Sequence, residues 1–259
     1  FPYTTLFRSY KTPDGQTSPI DVTTTGDKNV IVEVLDPQGN TIVEVPATVR
    51  VVDSTPQFVV ANPAKKQPEA KDSVTPGEYP DGTTFEYKTP VDTTTAGEKD
   101  VTVVAKLNGQ PIAEVPAKVV VVDPKTQYVV ADPSKPQPDA AKSIDPEQYP
   151  EGTTFEYKTP VDTTTPGDKP VTVVAKLNGQ PITEIPATIV VVEPKTQYVP
   201  VNAENDKKPK PKDSITPDDY PEGSTFEYKT PEGQATPYDG TTPGEKDVTV
   251  VVKDSDGDT

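Results

Sequence analysis

A close internal repeat constrains this chain more than any other feature of its sequence. The 50 residues from Tyr79 to Tyr128 align without a gap with the 50 from Tyr149 to Tyr198, and the two blocks differ at nine positions. A third copy opens at Tyr220, and a fourth, which lacks its beginning, is recognisable from Tyr10. Each copy is therefore expected to be one folding unit of an array.

The spacing between copies sets the size of that unit. Tyr79 and Tyr149 are 70 residues apart, and Tyr149 and Tyr220 are 71 apart. A unit of this length can fold by itself but lies near the small end of the range, so each hydrophobic core must be modest. The repeat predicts four modules: residues 10–56, N-terminally truncated; residues 57–126 and 127–196, both complete; and residues 197–259, C-terminally truncated.

Residues 1–9, FPYTTLFRS, do not match the repeat. They resemble the translation of a sequencing-adapter oligonucleotide, and we expect them to be an artefact of sequence assembly and not natural protein. On this interpretation native sequence begins near Tyr10, and the first module has lost its opening strand.

The composition favours β-structure. Valine dominates the 31% of residues that are hydrophobic, threonine is abundant, and there are 33 prolines. Val and Thr favour strands, whereas frequent Pro excludes long helices. Low hydrophobicity and high Pro content also fit a disordered chain, but the regular Val/Ile runs favour a folded one. We therefore predict an all-β protein.

The third module illustrates the predicted order of elements. The pattern predicts a short strand at 127–131, a Pro-rich crossover with Ile144 as its apolar anchor, an alternating strand at 153–158, a turn at 161–169 with positive φ at Gly167, a strand at 171–177, a hairpin turn at Asn178–Gly179 and a return strand at 182–192. Asn-Gly between apolar runs is the strongest of these local signals, because both residues accept positive φ.

The hairpin of the second module poses a register problem. If Asn108–Gly109 is a two-residue loop, Ile112 points inward, yet the apolar series that begins at Val115 has the opposite phase. We therefore predict a β-bulge beside Pro116, where a missing amide is tolerated. The run Val119–Val122 is apolar on both faces, which predicts a strand that is covered on both sides or touches a neighbouring module.

Charge and missing residue types exclude several classes of function. The net charge of −16 disfavours nucleic acid and anionic membranes as partners, and no apolar run approaches the length of about 18 residues that spans a bilayer. Cys, His, Met and Trp are all absent. Their absence excludes disulfides, thiolate or imidazole metal ligands and Ser–His or Cys–His nucleophiles, and a lack of oxidisable sulfur suits an exposed, oxidising location.

Three tyrosines and a lysine run are the candidate binding features. Each of Tyr79, Tyr149 and Tyr220 precedes a Pro and a turn Gly. Such tyrosines could either stack on sugars or cap the hydrophobic core with the hydroxyl in water. The second interpretation is favoured, because a Tyr ring packs well while its hydroxyl stays hydrated. Four lysines lie within Lys207–Lys212. They are candidates for contact with wall polyanions, but an extended, solvated loop is the favoured interpretation.

Acidic motifs are weaker candidates. Asp254–Asp258, DSDGD, resembles the start of a calcium loop but lacks the closing Glu, so we interpret it as a solvated turn. Pairs such as Glu86 and Asp92 resemble glycosidase carboxylates, but 41 acidic residues make such pairs inevitable. A Lys–Asn isopeptide crosslink is rejected because Asn108 is required by the hairpin turn. We assign no catalytic, cofactor-binding or metal-binding residue, and no cofactor.

The stretch YPEGTTFEYKTPVDTTTPGDKPVTVV, which begins at Tyr149, resembles the Rib domain, the tandem repeat of Gram-positive bacterial surface proteins. The stretch recurs, whole or in part, in all four copies, so the resemblance covers nearly everything after Ser9. It implies small immunoglobulin-like β-sandwich modules with fewer strands than usual. It also implies a secreted stalk that carries an N-terminal adhesive domain outward from the cell wall, with anchoring to peptidoglycan inferred from the family alone.

Two functions stay open at this point. The leading hypothesis is a structural spacer, in which modules joined by linkers of about four residues, such as Asp123–Thr126, form an elongated rod on the cell surface. In it, a host protein or glycan is bound by a head domain outside this sequence. The alternative is that the repeats themselves are adhesin modules for a host protein or glycan. An enzyme is not expected, because without His or Cys it would rest on carboxylates alone.

Overall fold

The computed structural model describes thirteen strands and seven short 3₁₀ helices within residues 7–11, 20–61, 64, 66–132, 134, 136–232 and 234–257. The chain divides into two compact units, the first of which ends at Val122 and the second of which begins at Asp123. The prediction of an all-β protein is confirmed.

The first unit contains seven strands: β1 (Phe7–Lys11), β2 (Gly26–Leu35), β3 (Thr41–Val51), β4 (Gln57–Val60), β5 (Thr84–Tyr87), β6 (Gly97–Leu107) and β7 (Gln110–Val122). The second unit contains six: β8 (Gln127–Val130), β9 (Thr154–Tyr157), β10 (Gly167–Leu177), β11 (Gln180–Val192), β12 (Thr225–Tyr228) and β13 (Val250–Lys253). The 3₁₀ helices are Ala70–Ser73, Pro76–Glu78, Ala140–Ser143, Pro146–Gln148, Asn205–Lys207, Pro211–Ser214 and Pro217–Asp219.

Both complete modules have the same sheet. The strand order is β4-β7-β6-β5 in the second module and β8-β11-β10-β9 in the third. The first strand pairs in parallel with the last, and all other pairs are antiparallel. Because the first and second strands lie at opposite edges, the crossover between them must traverse the sheet.

That crossover supplies the second layer of the module. In the described part of the chain each complete module has one sheet of four strands, and the layer opposite it contains two 3₁₀ helices instead of the second sheet of a sandwich. Prolines at positions such as Pro76 and Pro146 deprive this segment of the amides that a strand would need. The β-sandwich that the resemblance implied therefore has one layer of strands, and the 3₁₀ crossover forms the layer that covers them.

The core lies between these two layers. In the second module Ala70, Val74 and Tyr79 of the crossover pack with Val103 and Val115 of the central hairpin. The predicted apolar anchor is confirmed in three modules, because Val74, Ile144 and Ile215 are all buried. In the third module a further cluster joins Val161 to Ile189 and Val191.

The central hairpin forms as its turn predicts. Asn178 and Gly179 have φ values of 51° and 77°, and Leu177 pairs with Gln180 directly beyond them. Gly167 has a φ of 111°, which confirms its predicted positive value. The strand that was predicted at 171–177 begins four residues earlier, at Gly167, because Gly167 already pairs with Val191.

The predicted bulge exists, but its predicted position beside Pro116 is wrong. The register shifts between Ala105 and Lys106, which pair with Ala113 and Pro111, so Ile112 is the extra residue and is 46% exposed. Pro116 instead sits in regular pairing with Thr102. Pro116 is tolerated because β4 pairs with β7 only from Val119 onward, which leaves that edge of β7 open at Pro116.

The prediction that Val119–Val122 is buried on both faces is confirmed. The exposed fraction of each of these four valines is at most 4%. All four pair with β4 on one side, and Val119–Val121 also pair with β6 on the other.

We expected the first module to lack its opening strand, but the structure contains one. β1 pairs with β2, and Tyr10 lies opposite Val32 just as Tyr87 lies opposite Val103. Residues 7–9 therefore occupy the place that 84–86 have in the second module. An edge strand requires little beyond an extended backbone, so a segment of unrelated sequence can fill this place once Tyr10 and Lys11 are in register.

The bulge makes two isoleucines of equivalent strands differ in their contribution to stability. Replacement of Ile189, whose side chain is fully buried, by Ala is expected to lower the free energy of unfolding by about 2–5 kcal/mol. The Ile112→Ala variant removes the same atoms from the bulge and is expected to change it by less than about 0.5 kcal/mol. Urea denaturation of both variants measures the difference; similar losses would mean that the bulge is elsewhere.

Candidate functional site

The pair formed by the first and last strands determines where the chain enters and leaves a module. In the third module Gln127 lies beside Ile189 and Val130 lies beside Val192, in parallel register. The amide of Ala131 extends this ladder by donating to the Val192 carbonyl at 2.8 Å. Because both strands run in the same direction, the chain enters at one end of the pair and leaves at the other.

A partly buried polar triad holds the beginning of the first strand in place. In the second module the side-chain oxygen of Gln57 accepts from the hydroxyl of Tyr87 at 2.7 Å and from that of Ser73 at 3.2 Å, and the two hydroxyls are 2.8 Å apart. Ser73 is completely buried. The triad thus ties the first strand to the crossover and to β5.

The same triad recurs in the other modules that contain these positions. In the third module it consists of Gln127, Ser143 and Tyr157. In the fourth module the amide nitrogen of Gln197 lies 2.6 Å from the Ser214 hydroxyl and 2.9 Å from the Tyr228 hydroxyl. Sequence reasoning missed this triad, although Ser and Tyr are 14 residues apart in all three copies and Gln precedes Ser by 16 or 17 residues.

A second glutamine closes the crossover. The Gln67 side chain donates to the carbonyl of Val91 at 3.0 Å and accepts from its amide at 2.7 Å. Gln137 makes the same pair of bonds with Val161. The side chain therefore imitates a strand partner for a residue that lies outside the sheet.

The linkers are bound to the module that follows them. Amides of Thr55, Lys125 and Lys195 donate to the carbonyls of Ser73, Ser143 and Ser214, respectively, at 2.8–3.0 Å. At the first linker, Ser54 also forms a bridge with Val74, and Val52 packs against the core of the second module. Within the second unit the rings of Tyr128 and Tyr220 stack at 5.1 Å, which joins the third module to the fourth.

A polar turn precedes the central hairpin of every module. In the third module Asp162 accepts from the amide and the hydroxyl of Thr164, and Lys169 lies 3.3 Å from the same carboxylate. These hydrogen bonds, that of the Thr164 hydroxyl first among them, hold the pKa of Asp162 well below its usual range. Asp92 and Asp239 have the same partners and the same direction of pKa shift.

The favoured interpretation of the tyrosines is confirmed for two of them. Tyr79 and Tyr149 are buried and contact Phe85 and Phe155 edge to face, whereas Tyr220 is half-buried in its stack with Tyr128. The expectation that their hydroxyls lie in water is wrong for Tyr79, whose buried hydroxyl has no hydrogen-bond partner among the described residues. Burial raises the pKa of Tyr149 to about 12.

The other candidate residues are dispersed. Lys207, Lys208, Lys210 and Lys212 are exposed, and the Lys207 ammonium is 3.9 Å from Glu204. Glu86 pairs with Lys106 at 2.5 Å, away from the hydrogen bonds that Asp92 makes to its own turn. Asp254 accepts from the amide of Asp256, as in a turn; Asp258 lies outside the described residues.

The described residues contain neither a metal-binding cluster nor a membrane-spanning helix. No group of three or more acidic, His or Cys side chains is placed to hold a metal ion. In the same part of the chain, none of the helices has the length and apolar character needed to cross a membrane.

The family to which the chain belongs is shown by three adjacent matches. The model of the Rib domain matches residues 55–123, 122–193 and 192–259. The chain belongs to the Rib domain family. Rib domains are non-enzymatic repeats of extracellular surface proteins. The resemblance that the repeat motif indicated is thereby confirmed, and the first match begins at residue 55, two residues before the predicted start of the second module.

Comparison with whole proteins adds little to this assignment. No curated protein matches the chain. Among solved structures, an endo-fucoidan hydrolase of glycoside hydrolase family 107 is 12% identical over 74% of this chain and 38% of its own, with a TM-score of 0.17. The Bacteroides ovatus mixed-linkage glucan utilization locus protein SGBP-B, in complex with a mixed-linkage heptasaccharide, is 13% identical over 98% of this chain and 83% of its own, with a TM-score of 0.14.

Two tyrosines of the second Rib domain provide a matched test of the triad. Tyr87→Phe removes a hydroxyl with two partners and is expected to lower the free energy of unfolding by about 0.5–1.5 kcal/mol. Tyr79→Phe removes a buried hydroxyl that has no partner in the described part of the chain, and it is expected to leave stability equal or higher. Urea denaturation distinguishes them, and a greater loss for Tyr79→Phe would contradict the triad.

The polar turns predict how stability depends on acid pH. A carboxylate whose pKa is lowered by folding stabilises the protein above its unfolded pKa of about 3.9, and this contribution is lost as the pH falls through the folded pKa. A chain with Asp92, Asp162 and Asp239 replaced by Asn should therefore lose less stability than the original between pH 5 and pH 2. Denaturant midpoints across this range measure it; parallel curves for the two chains would contradict the assignment.

Proposed function

We propose that this array of Rib domains is a stalk that spaces an adhesive domain away from the bacterial surface. The observation that carries the proposal is the parallel pairing of β4 with β7 and of β8 with β11. A module whose chain leaves farther along the strand direction than it entered advances the array, whereas one whose chain returned to its entry point would not.

The linkers support the same proposal. Glu193–Thr196 is four residues long, and Lys195 within it is hydrogen-bonded to the following module. Such a joint has little freedom to fold back, and the stack between Tyr128 and Tyr220 restrains it further. A stalk needs joints of this kind, because freely bending joints would not hold a domain at a distance.

The family and the net charge support the proposed cellular setting. Rib domains are extracellular surface repeats, and we propose that this stalk is attached to the cell wall of a Gram-positive bacterium. Its net charge of −16 repels the anionic surface beneath it. A host protein or glycan would be the partner of the adhesive domain, not of the stalk.

Deletion of one module tests the stalk. Removal of residues 127–196 joins Thr126 to Gln197 and recreates the same junction sequence, Thr-Gln. The linker and first strand that carry the chain through a module, residues 123–130, span at most about 27 Å when extended, so the maximum dimension from small-angle scattering should fall by roughly 20–30 Å. A compact globule for the intact chain, or a fall far smaller than this, would contradict the proposal.

A second candidate function is that the repeats themselves bind host protein or glycan. One observation favours it: an open groove of about 340 Å³ in the second module, lined by residues that include Gln67, Ala70, Phe85 and Pro90. The same residue types recur in the third module, at Gln137, Ala140, Phe155 and Pro160. Two such grooves on one chain would provide avidity.

Retention on surfaces coated with mucin or fibronectin tests this second candidate. If the repeats bind, the intact chain is expected to be retained, and the chain that lacks residues 127–196 to be retained less because one groove is lost. Absence of retention for the intact chain on both surfaces would contradict it. A chain that is retained equally with and without the deletion would bind through another surface.

A further inference from the structure

We propose that the pair of first and last strands is a shear clamp, which makes each Rib module resist tension applied along the array. The inference uses the proposed stalk function for the source of the load, but the clamp itself follows from the topology of the module. The two can therefore be tested apart.

The direction of the load is the first step of the argument. Tension pulls the chain backward at Thr126, before β8, and forward at Glu193, after β11. Gln127 lies beside Ile189 and Val130 beside Val192, so these opposed forces act along the strands and not across them. Every hydrogen bond between the two strands is then loaded together, whereas a peeling force would break them one at a time.

The contents of the clamp are shielded from the load. The crossover, β9, β10 and the hairpin turn all lie in sequence between β8 and the end of β11. Apart from Ser143 and Tyr157, which are bonded to the first strand, tension reaches them only after the strand pair has separated. The shielded residues include Gln137 and its bonds to Val161, which stabilise the module without lying in the path of the force.

The clamp is dry on the side that faces the core. Ile189 and Val191 are completely buried and pack with Val129 of the first strand and with Val161. The second module repeats this arrangement with Val119 and Val121. Water is thus kept from the core side of these hydrogen bonds during loading.

The triad reinforces the point at which force enters. Gln127 is the first residue of β8, and its side chain is held by the hydroxyls of Ser143 and Tyr157. Just before it, the amide of Lys125 is held by the carbonyl of Ser143. Tension that begins to withdraw the first strand must break these bonds together with the ladder.

Direction of pulling tests the clamp with surface substitutions alone. The chain has no cysteine, so cysteine handles can be placed at Thr126 and Glu193 to shear the pair in the intact chain. Handles at Ser134 and Glu193, which lie at one end of the pair, peel β11 away instead. Single-molecule stretching should give a several-fold lower unfolding force in the peeling geometry; equal forces would overturn the proposal.

Matched glutamine variants test the triad within the same experiment. The intact chain is stretched from its termini, and each complete module should release a length on the order of 20 nm. Q57A/Q127A weakens the clamp, whereas Q67A/Q137A removes two bonds per module from the shielded crossover. The first pair is expected to lower the unfolding force at a given loss of equilibrium stability, and the second to leave it nearly unchanged.

The outcomes separate the clamp from the stalk. If Q67A/Q137A lowers the force as much as Q57A/Q127A does, the load is not confined to the strand pair and the clamp is wrong. An intact chain that scatters as an extended particle but unfolds at equal force in both geometries would retain the stalk and lose the clamp. A compact particle with direction-dependent force would do the reverse.

Discussion

Parallel pairing between the first and last strands of a module is the constraint on which the rest of the structure depends. Parallel neighbours cannot be joined by a tight turn, so the remaining strands and a long crossover must lie between them in sequence. Here the crossover passes from the edge at β8 to the opposite edge at β9 and covers one face of the sheet on its way. One requirement of connectivity thereby supplies the second layer of the core.

A layer built in this way contains polar groups that need hydrogen-bond partners, and glutamine side chains supply many of these partners. A crossover without a strand partner leaves amides, carbonyls and hydroxyls to be satisfied individually. Gln67 and Gln137 serve the backbone of Val91 and Val161, and Gln57 and Gln127 serve hydroxyls. The length of the Gln side chain and its paired donor and acceptor suit both tasks.

The features that were predictable from sequence are those with local causes. Asn178–Gly179 defines its turn because its backbone conformation depends on those two residues, and Ile144 stands out as the apolar residue in a polar segment. The bulge was expected in the right strand at the wrong residue. Ile112 is apolar, and pattern alone counts every apolar residue as inward, but the tight turn forces it out of register.

The strand pair and the polar triad, on which the proposed function depends, could not be predicted, because their members are far apart in the sequence. Pairing of β8 with β11 joins residues about 60 positions apart, and alternation of side chains does not distinguish a parallel neighbour from an antiparallel one. The triad of Gln127, Ser143 and Tyr157 likewise joins three separate elements. Its only sequence signal was repetition, since each copy preserves polar residues where the core might have been apolar.

The four-residue linker also acts as a safeguard against wrong pairing among near-identical neighbours. During synthesis, the first strand of each module follows directly after the last strand of the preceding module. The edge of that last strand can pair with the first strand of any of these near-identical modules. A parallel return to that edge needs a connection of about a dozen residues, and Glu193–Thr196 is far too short to make it. The short linker therefore prevents a strand from pairing with the wrong module, which the similarity of the modules would otherwise permit.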